Sequence, residues 1–280
     1  MINPRKSNFF KISKSLQSIF NLLELPLGGK IKEPKVIFII GIPRSGTTIA
    51  YQLISNHFKV EAFRNIDNYF YKNFCFTKRF VPFESTQTFS SHKGYVKGLF
   101  GLSECSHIFK YWLNNPLYET SNKLIDSYSV KKFKKRLGFL SSSKPLVFSY
   151  IGNVLIIDDL LRIFDNCMII RLDRDRNDLL ASLIKCHKEE EEEGFFSIKP
   201  KNWESFKSKT PDQKAKFQHQ SLSEILYHSK SNRIIDINYE DLCNKTEDVM
   251  ESIQKKAETL GIKLMLSNKI HPKIKFKTYK

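Results

Sequence analysis

The chain has 280 residues, 41% of them hydrophobic and 13% aromatic, enough for one large α/β domain or two small ones and too apolar for a disordered polymer. Its 46 Lys and Arg against 29 Asp and Glu leave a formal charge of +17, which favours anionic partners without choosing among a nucleotide, nucleic acid, anionic lipid or acidic glycan. Five scattered cysteines (Cys75, Cys105, Cys167, Cys186, Cys243) form no Cys-x-x-Cys pair, so buried free thiols in a reducing compartment are expected rather than a disulfide framework or a zinc site.

Residues 1–34 read as a basic arm. Arg5, Lys6, Lys11 and Lys14 make its start basic, and Ile12, Leu16, Ile19, Phe20, Leu22 and Leu23 line one helical face. That face suits packing on the domain, the preferred reading, or lying on a membrane. No run of about 18 apolar residues is present to cross a bilayer. No small-residue cleavage site follows the arm, so it is not expected to be a signal peptide. The expected location is the cytoplasm, with the arm as a candidate contact to the inner face of a membrane.

Residues 35–280 read as a single domain. Residues 36–40 are five consecutive apolar residues, the look of a strand buried on both faces of a parallel sheet. A turn over 41–46 and a helix over 47–57 follow. The stretch from about 60 to 140 is aromatic-rich and irregular, from Phe63 through Phe83 to Trp112. It reads as short helices and loops that shape an acceptor cleft. The basic run 131–136 reads as a solvated helix face. Regular α/β patterning returns with a strand over 146–151, a helix capped by Asn153 and reaching Phe164, and a strand over 168–172. A helix over 176–187, a charge run at 189–193, a helix over 213–229, a strand over 234–237 and a helix over 248–260 stopped by Gly261 complete the chain. The fold class is α/β: a P-loop-type parallel sheet with helices on both faces and an irregular insertion.

Gly41 and Gly46 have the spacing of the nucleoside-triphosphate loop, Gly-x-x-x-x-Gly-Lys-Ser/Thr, but Thr47 stands where the lysine belongs. The nearest cation is Arg44, inside the turn, whose planar fork suits a pair of phosphate or sulfuryl oxygens. With Pro43, Ser45, Gly46, Thr47 and Thr48 at a helix start, the loop suits a terminal anion other than a magnesium-bound γ-phosphate. Residues 155–159 imitate the apolar run and Asp of a magnesium site, which keeps a P-loop kinase or NTPase open as an alternative. The apolar spacing there suits a packed helix better than a strand.

The run Gly41-Ile42-Pro43-Arg44-Ser45-Gly46-Thr47-Thr48 after an apolar strand resembles the 5′-phosphosulfate loop of sulfotransferases. It fits the branch with arginine in place of lysine, which includes tyrosylprotein enzymes and bacterial carbohydrate or lipid enzymes. A second stretch is similar to the family's 3′-phosphate signature: Arg174 after the strand and Ser182 eight residues on. A third, Tyr239-Glu240-Asp241-Leu242, resembles a mainly structural element in which Tyr239 approaches the nucleotide. The family's Lys-x-Pro is missing near Ser149-Tyr150-Ile151, and Lys144 belongs to the other end of that strand.

The resemblance implies 3′-phosphoadenosine 5′-phosphosulfate (PAPS) as donor, no metal requirement, and a hydroxyl-bearing acceptor that is a glycan, lipid or small molecule. Arg44 would neutralise the sulfuryl and the leaving phosphate. A general base, Glu or His in this family, would take the hydroxyl proton. His107 is the first candidate because it titrates near neutral pH; Glu104 and Asp67 follow. No nucleic-acid partner is expected. The absent Lys-x-Pro leaves a non-catalytic anion-binding relative as a further alternative.

Overall fold

The computed structural model describes residues 32–81, 96–117, 125–190 and 194–267. The arm up to residue 31, Phe83 and the acidic run 191–193 lie outside these.

Five parallel strands form one sheet in the order β2-β3-β1-β4-β5. They are β1 (Val36–Gly41), β2 (Glu61–Ala62), β3 (Leu146–Phe148), β4 (Cys167–Asp173) and β5 (Ile234–Asn238). The central strand β1 pairs with β3 on one side and β4 on the other. Every β1 residue is buried, because the strand's alternate side chains enter two different cores. Val36, Phe38 and Ile40 join one core, while Ile37 and Ile39 join the other. This is why the sequence there is continuously apolar rather than alternating.

The second core is covered by α1 (Thr47–His57) and α10 (Thr246–Thr259), which insert Leu53 and Ile253. The first core is thicker. It takes Phe109 from α4 (Ser106–Trp112) and Phe133 from α5 (Ser127–Leu140). It also takes Leu160 from α6 (Ile157–Ile163), Leu179 and Leu183 from α7 (Arg176–Lys188) and Leu222 from α8 (Pro211–His228). The α/β class with helices on both faces is therefore observed. The basic run 131–136 is helical as expected, with Phe133 turned into the core. All five cysteines are buried, and none is disulfide-bonded among the described residues.

Two local readings need correction. β3 stops at Phe148, and Ile151–Ile156 forms a 3-10 turn leading into α6. Asn153 does not cap that helix; it is fully buried inside the turn and accepts from Asn115 Nδ2 at 3.1 Å. An apolar run entering a core looks alike as strand or tight helix, so periodicity could not separate them. Residues 155–159 are helical, as their apolar spacing suggested, and do not form the strand that a magnesium-binding Asp would follow. The two-residue β2 carried no pattern of its own; it exists because it pairs with β3.

The insertion is pinned by a buried charge cluster. It begins with α2 (Asn65–Tyr69) and α3 (Phe74–Phe80). Arg64 and Asp67 are 1% and 0% exposed. Asp67 accepts from Arg64 Nη2 at 3.0 Å and Thr77 Oγ1 at 2.7 Å, and Lys78 Nζ lies 3.4 Å away. Burial alone would push this carboxyl up, but Lys78 and then Arg64 and Thr77 outweigh it and hold the carboxyl below the usual range. Asp67→Ala, which leaves the buried Arg64 guanidinium without its carboxylate and Lys78 with Glu61 alone, is expected to cost about 3–5 kcal/mol in urea unfolding. In the wild type this contribution is present above the usual Asp pKa and is lost as pH falls through the lower folded value.

Candidate active site

In parallel sheets the carboxyl edge binds ligands where the strand order reverses. Here that point is β1: the chain leaves it toward β2 and β3, then crosses back to β4 and β5. The segments following β1, β3, β4, β2 and β5 all meet at this edge, and they carry nearly every residue singled out in the sequence.

The loop after β1 depends on its two glycines. A side chain on Gly41 would collide with Ser45 Oγ, which tucks back over it. Gly46 has φ 98° and lies beneath the Tyr239 ring, so a Cβ there would meet the ring carbons. Ser45 N–H donates to the Ile42 carbonyl at 3.0 Å and closes the turn. Arg44 adopts φ 77°, a left-handed conformation that a non-glycine residue rarely takes. Gly46 supplies no side-chain cap to α1, so the first amides of that helix have no intrahelical acceptor and point toward the loop. Ser45 Oγ is buried without a hydrogen-bond partner among the described residues. An orphaned hydroxyl and uncapped amides inside one turn fit an anion's oxygens.

The β4 segment meets this loop directly. Arg174 Nη1 donates to the Arg44 carbonyl at 2.9 Å, and Arg44 Nε donates to Ser182 Oγ at 3.0 Å. The Arg174 guanidinium lies over the Tyr239 ring, 4.7 Å from its centroid. Arg174, Ser182 and Tyr239 are all buried. The N-terminus of α7 is already capped by Asp175, which accepts from the Asn177 and Asp178 amides at 2.9 and 3.0 Å. The polar side chains that meet the loop here, Arg174 and Ser182, therefore come from the strand end and from within α7 rather than from its capped N-terminus. Ser149, after β3, donates through Oγ to the Thr47 carbonyl at 3.4 Å. Lys144 precedes β3 and stands at the opposite edge, as expected.

The three base candidates are placed very differently. Asp67 is consumed by the buried cluster described above, and the structure does not bring it into the crevice. Glu104 sits on the segment before α4, which is tied to the end of β2 by the Ser103 amide donating to the Phe63 carbonyl at 2.9 Å. Its charge acts on the Tyr150 phenol beyond β3 and on the Cys105 thiol. Burial pushes the Glu104 carboxyl up to about 7. His107 begins α4, held by Asn68. Asn68 Oδ1 accepts from the His107 amide at 2.9 Å, so its Nδ2 must donate to His107 Nδ1, also at 2.9 Å. The neutral ring therefore carries its proton on Nε2 and presents a donor there, not a base.

Asn68, Ser149 and Tyr150 were missed by the sequence reading. Each acts through a partner 35 or more residues away, and no local spacing signals that. Among the described residues no group of three or more His, Cys, Asp or Glu side chains is arranged to hold a metal ion.

Comparison with known proteins agrees with this geometry. Residues 34–260 match the model of the sulfotransferase family. Two solved structures share the fold. The sulfotransferase STF9 of Mycobacterium avium aligns with a TM-score of 0.56 at 16% identity, over 90% of this chain and 70% of that one. The sulfotransferase STF1 of Mycobacterium tuberculosis aligns with a TM-score of 0.56 at 14% identity, over 93% of this chain and 75% of that one. No curated protein matches the chain. A family match spanning most of the sequence, with both phosphate signatures meeting at the sheet's switch point, makes the chain a member of the sulfotransferase family.

Proposed function

We propose that the chain transfers the sulfuryl group of PAPS to a hydroxyl of a glycan, lipid or small molecule, with Glu104 as the general base. The observation that carries this reading is the link between the two anion anchors: Arg174 holds the Arg44 carbonyl, and Arg44 reaches Ser182. One network thus joins a loop suited to the phosphosulfate and a site suited to the 3′-phosphate.

PAPS supplies an activated sulfuryl group when bound. Arg44, with Ser45 and the amides of Gly46, Thr47 and Thr48, stabilises charge on the transferring group and the leaving phosphate. Pro43 helps hold the turn that presents them. Arg174 and Ser182 fix the 3′-phosphate, and Tyr239 braces both Gly46 and Arg174. The acceptor oxygen forms a bond to sulfur as the bond from sulfur to the phosphate oxygen breaks, and the hydroxyl proton passes to Glu104. A carboxylate poised near neutrality suits that role. His107 serves instead as a donor that orients the acceptor. The insertion carrying Glu104 and His107 shapes the acceptor side.

Calorimetry tests the donor assignment. Adenosine 3′,5′-bisphosphate is expected to bind without metal and to be weakened by Arg174→Ala, while ATP with magnesium binds poorly. Tight, metal-dependent ATP binding would return the chain to the kinase class.

A further inference from the structure

A second anion-favouring feature lies at the amino edge of the sheet, away from the donor crevice. A pocket of about 260 Å³ is lined by Lys32, Lys35, Lys144 and Lys263, together with Met265 and serines that follow α5. Lys35 directly precedes β1, and Lys144 stands just before β3. β1 has six residues, so at about 3.3 Å per residue the two edges are roughly 20 Å apart.

Among the described residues these lysines serve no internal ion pair. Glu33, on the pocket wall, is paired with Lys134 at 2.8 Å. None of the four pocket lysines has an ion-pair partner among the described residues. Three are exposed and Lys35 is half-buried. Four unneutralised ammonium groups around one concavity repel one another, and an anionic surface relieves that repulsion.

Apolar side chains stand beside them. Met265 and Leu266 are 41% and 55% exposed on the segment that crosses this edge, and Phe139 near the end of α5 is 40% exposed. That segment is anchored to the end of α1: the Ser267 amide donates to the His57 carbonyl at 2.7 Å, and Lys59 donates to the Met265 carbonyl at 2.8 Å. Both terminal segments join the described structure here. Residues 1–31 contain five Lys and Arg against one Glu, and residues 268–280 contain five Lys and no acidic residue.

From these features we infer that the amino edge is a docking face for an anionic lipid surface, holding the crevice at the carboxyl edge turned away from the bilayer. Lysines interleaved with exposed aliphatic side chains match a headgroup layer, which accepts both charge and shallow apolar insertion. A nucleic acid would use the charge but has no comparable use for Met265 and Leu266. The inference does not depend on the sulfotransferase reading.

Co-sedimentation of the full chain with vesicles tests it. The wild type is expected to pellet with phosphatidylcholine vesicles containing a third phosphatidylglycerol, to stay in solution with phosphatidylcholine alone, and to be released by high salt. Replacing Lys32, Lys35, Lys144 and Lys263 together by Gln is expected to weaken partition roughly a hundredfold or more. Met265→Asp, which keeps every lysine, is expected to weaken it as well. Unchanged urea midpoints would show that both variants fold. The inference is overturned if the wild type shows no preference for anionic vesicles. It is also overturned if the quadruple variant binds like the wild type, which would assign binding to the terminal segments. Release of bound protein by a short single-stranded RNA at equal phosphate concentration would overturn it too. No turnover is read, so these outcomes are separate from the fate of the donor assignment.

Discussion

Arg44→Ala is expected to lower kcat/KM for sulfuryl transfer from labelled PAPS by about 10²–10³-fold, the usual loss when one preorganised donor to a developing charge is removed. Arg44 also links the loop to Ser182, so donor affinity is expected to fall alongside kcat. Arg44→Lys is expected to recover only part of the rate, because an ammonium is a point charge and cannot hold Ser182 and an anion through one planar fork. The side chain is only half-buried, so far-ultraviolet circular dichroism and the urea midpoint are expected to change little. Wild-type transfer by a folded Arg44→Ala protein would end the assignment of this loop to the phosphosulfate.

Glu104→Gln is expected to lower kcat by about 10²–10⁴-fold, the range for a lost general base. It should also remove a titration from the pH–rate profile. With the carboxyl pushed up to about 7, wild-type kcat/KM should rise as pH increases through 7 and level off above it. The same shift sets the sign of a stability effect. The folded protein holds the Glu104 proton more tightly than the unfolded chain does, so stability falls as pH rises between the ordinary value of 4.5 and about 7. Above that window ionisation of the half-buried carboxylate costs on the order of 3 kcal/mol. Glu104→Gln removes that cost. The variant is therefore expected to be less active and more stable at pH 8, the pattern of a site where function is held at the expense of stability. His107→Gln, which retains an N–H donor, is expected to keep most of the rate. If instead His107→Gln removed the titration and Glu104→Gln did not, the base would be His107.

The half of the site proposed to hold the donor was legible because its signals are local. A buried strand, a Gly-bounded turn and a helix start occupy consecutive residues, and Arg44 stands inside the turn. The second anchor was legible for the same reason, since Arg174 and Ser182 belong to one strand-to-helix unit. The surroundings of the base candidates were not legible. His107 ranked first on the ordinary titration of an imidazole, yet its tautomer is set by Asn68, 39 residues earlier. Asp67 looked available because its partners are not evident from spacing: Thr77 and Lys78 come from the next helix. Glu104 owes its raised pKa to burial, which sequence does not record.

The sequence by itself determined the α/β class, the strand at the centre of the sheet, and the two phosphate signatures with the family they resemble. These follow from hydrophobic period, glycine placement and short-range spacing, which act within a few residues. Only the tertiary structure decided that β2 exists and that residues 151–156 close into a 3-10 turn. It also decided that Arg44 reaches Ser182 and that four lysines from separate segments gather at the edge opposite the donor crevice. Each of these depends on which distant segments meet, and therefore on burial and hydrogen bonds made between parts of the chain far apart in sequence.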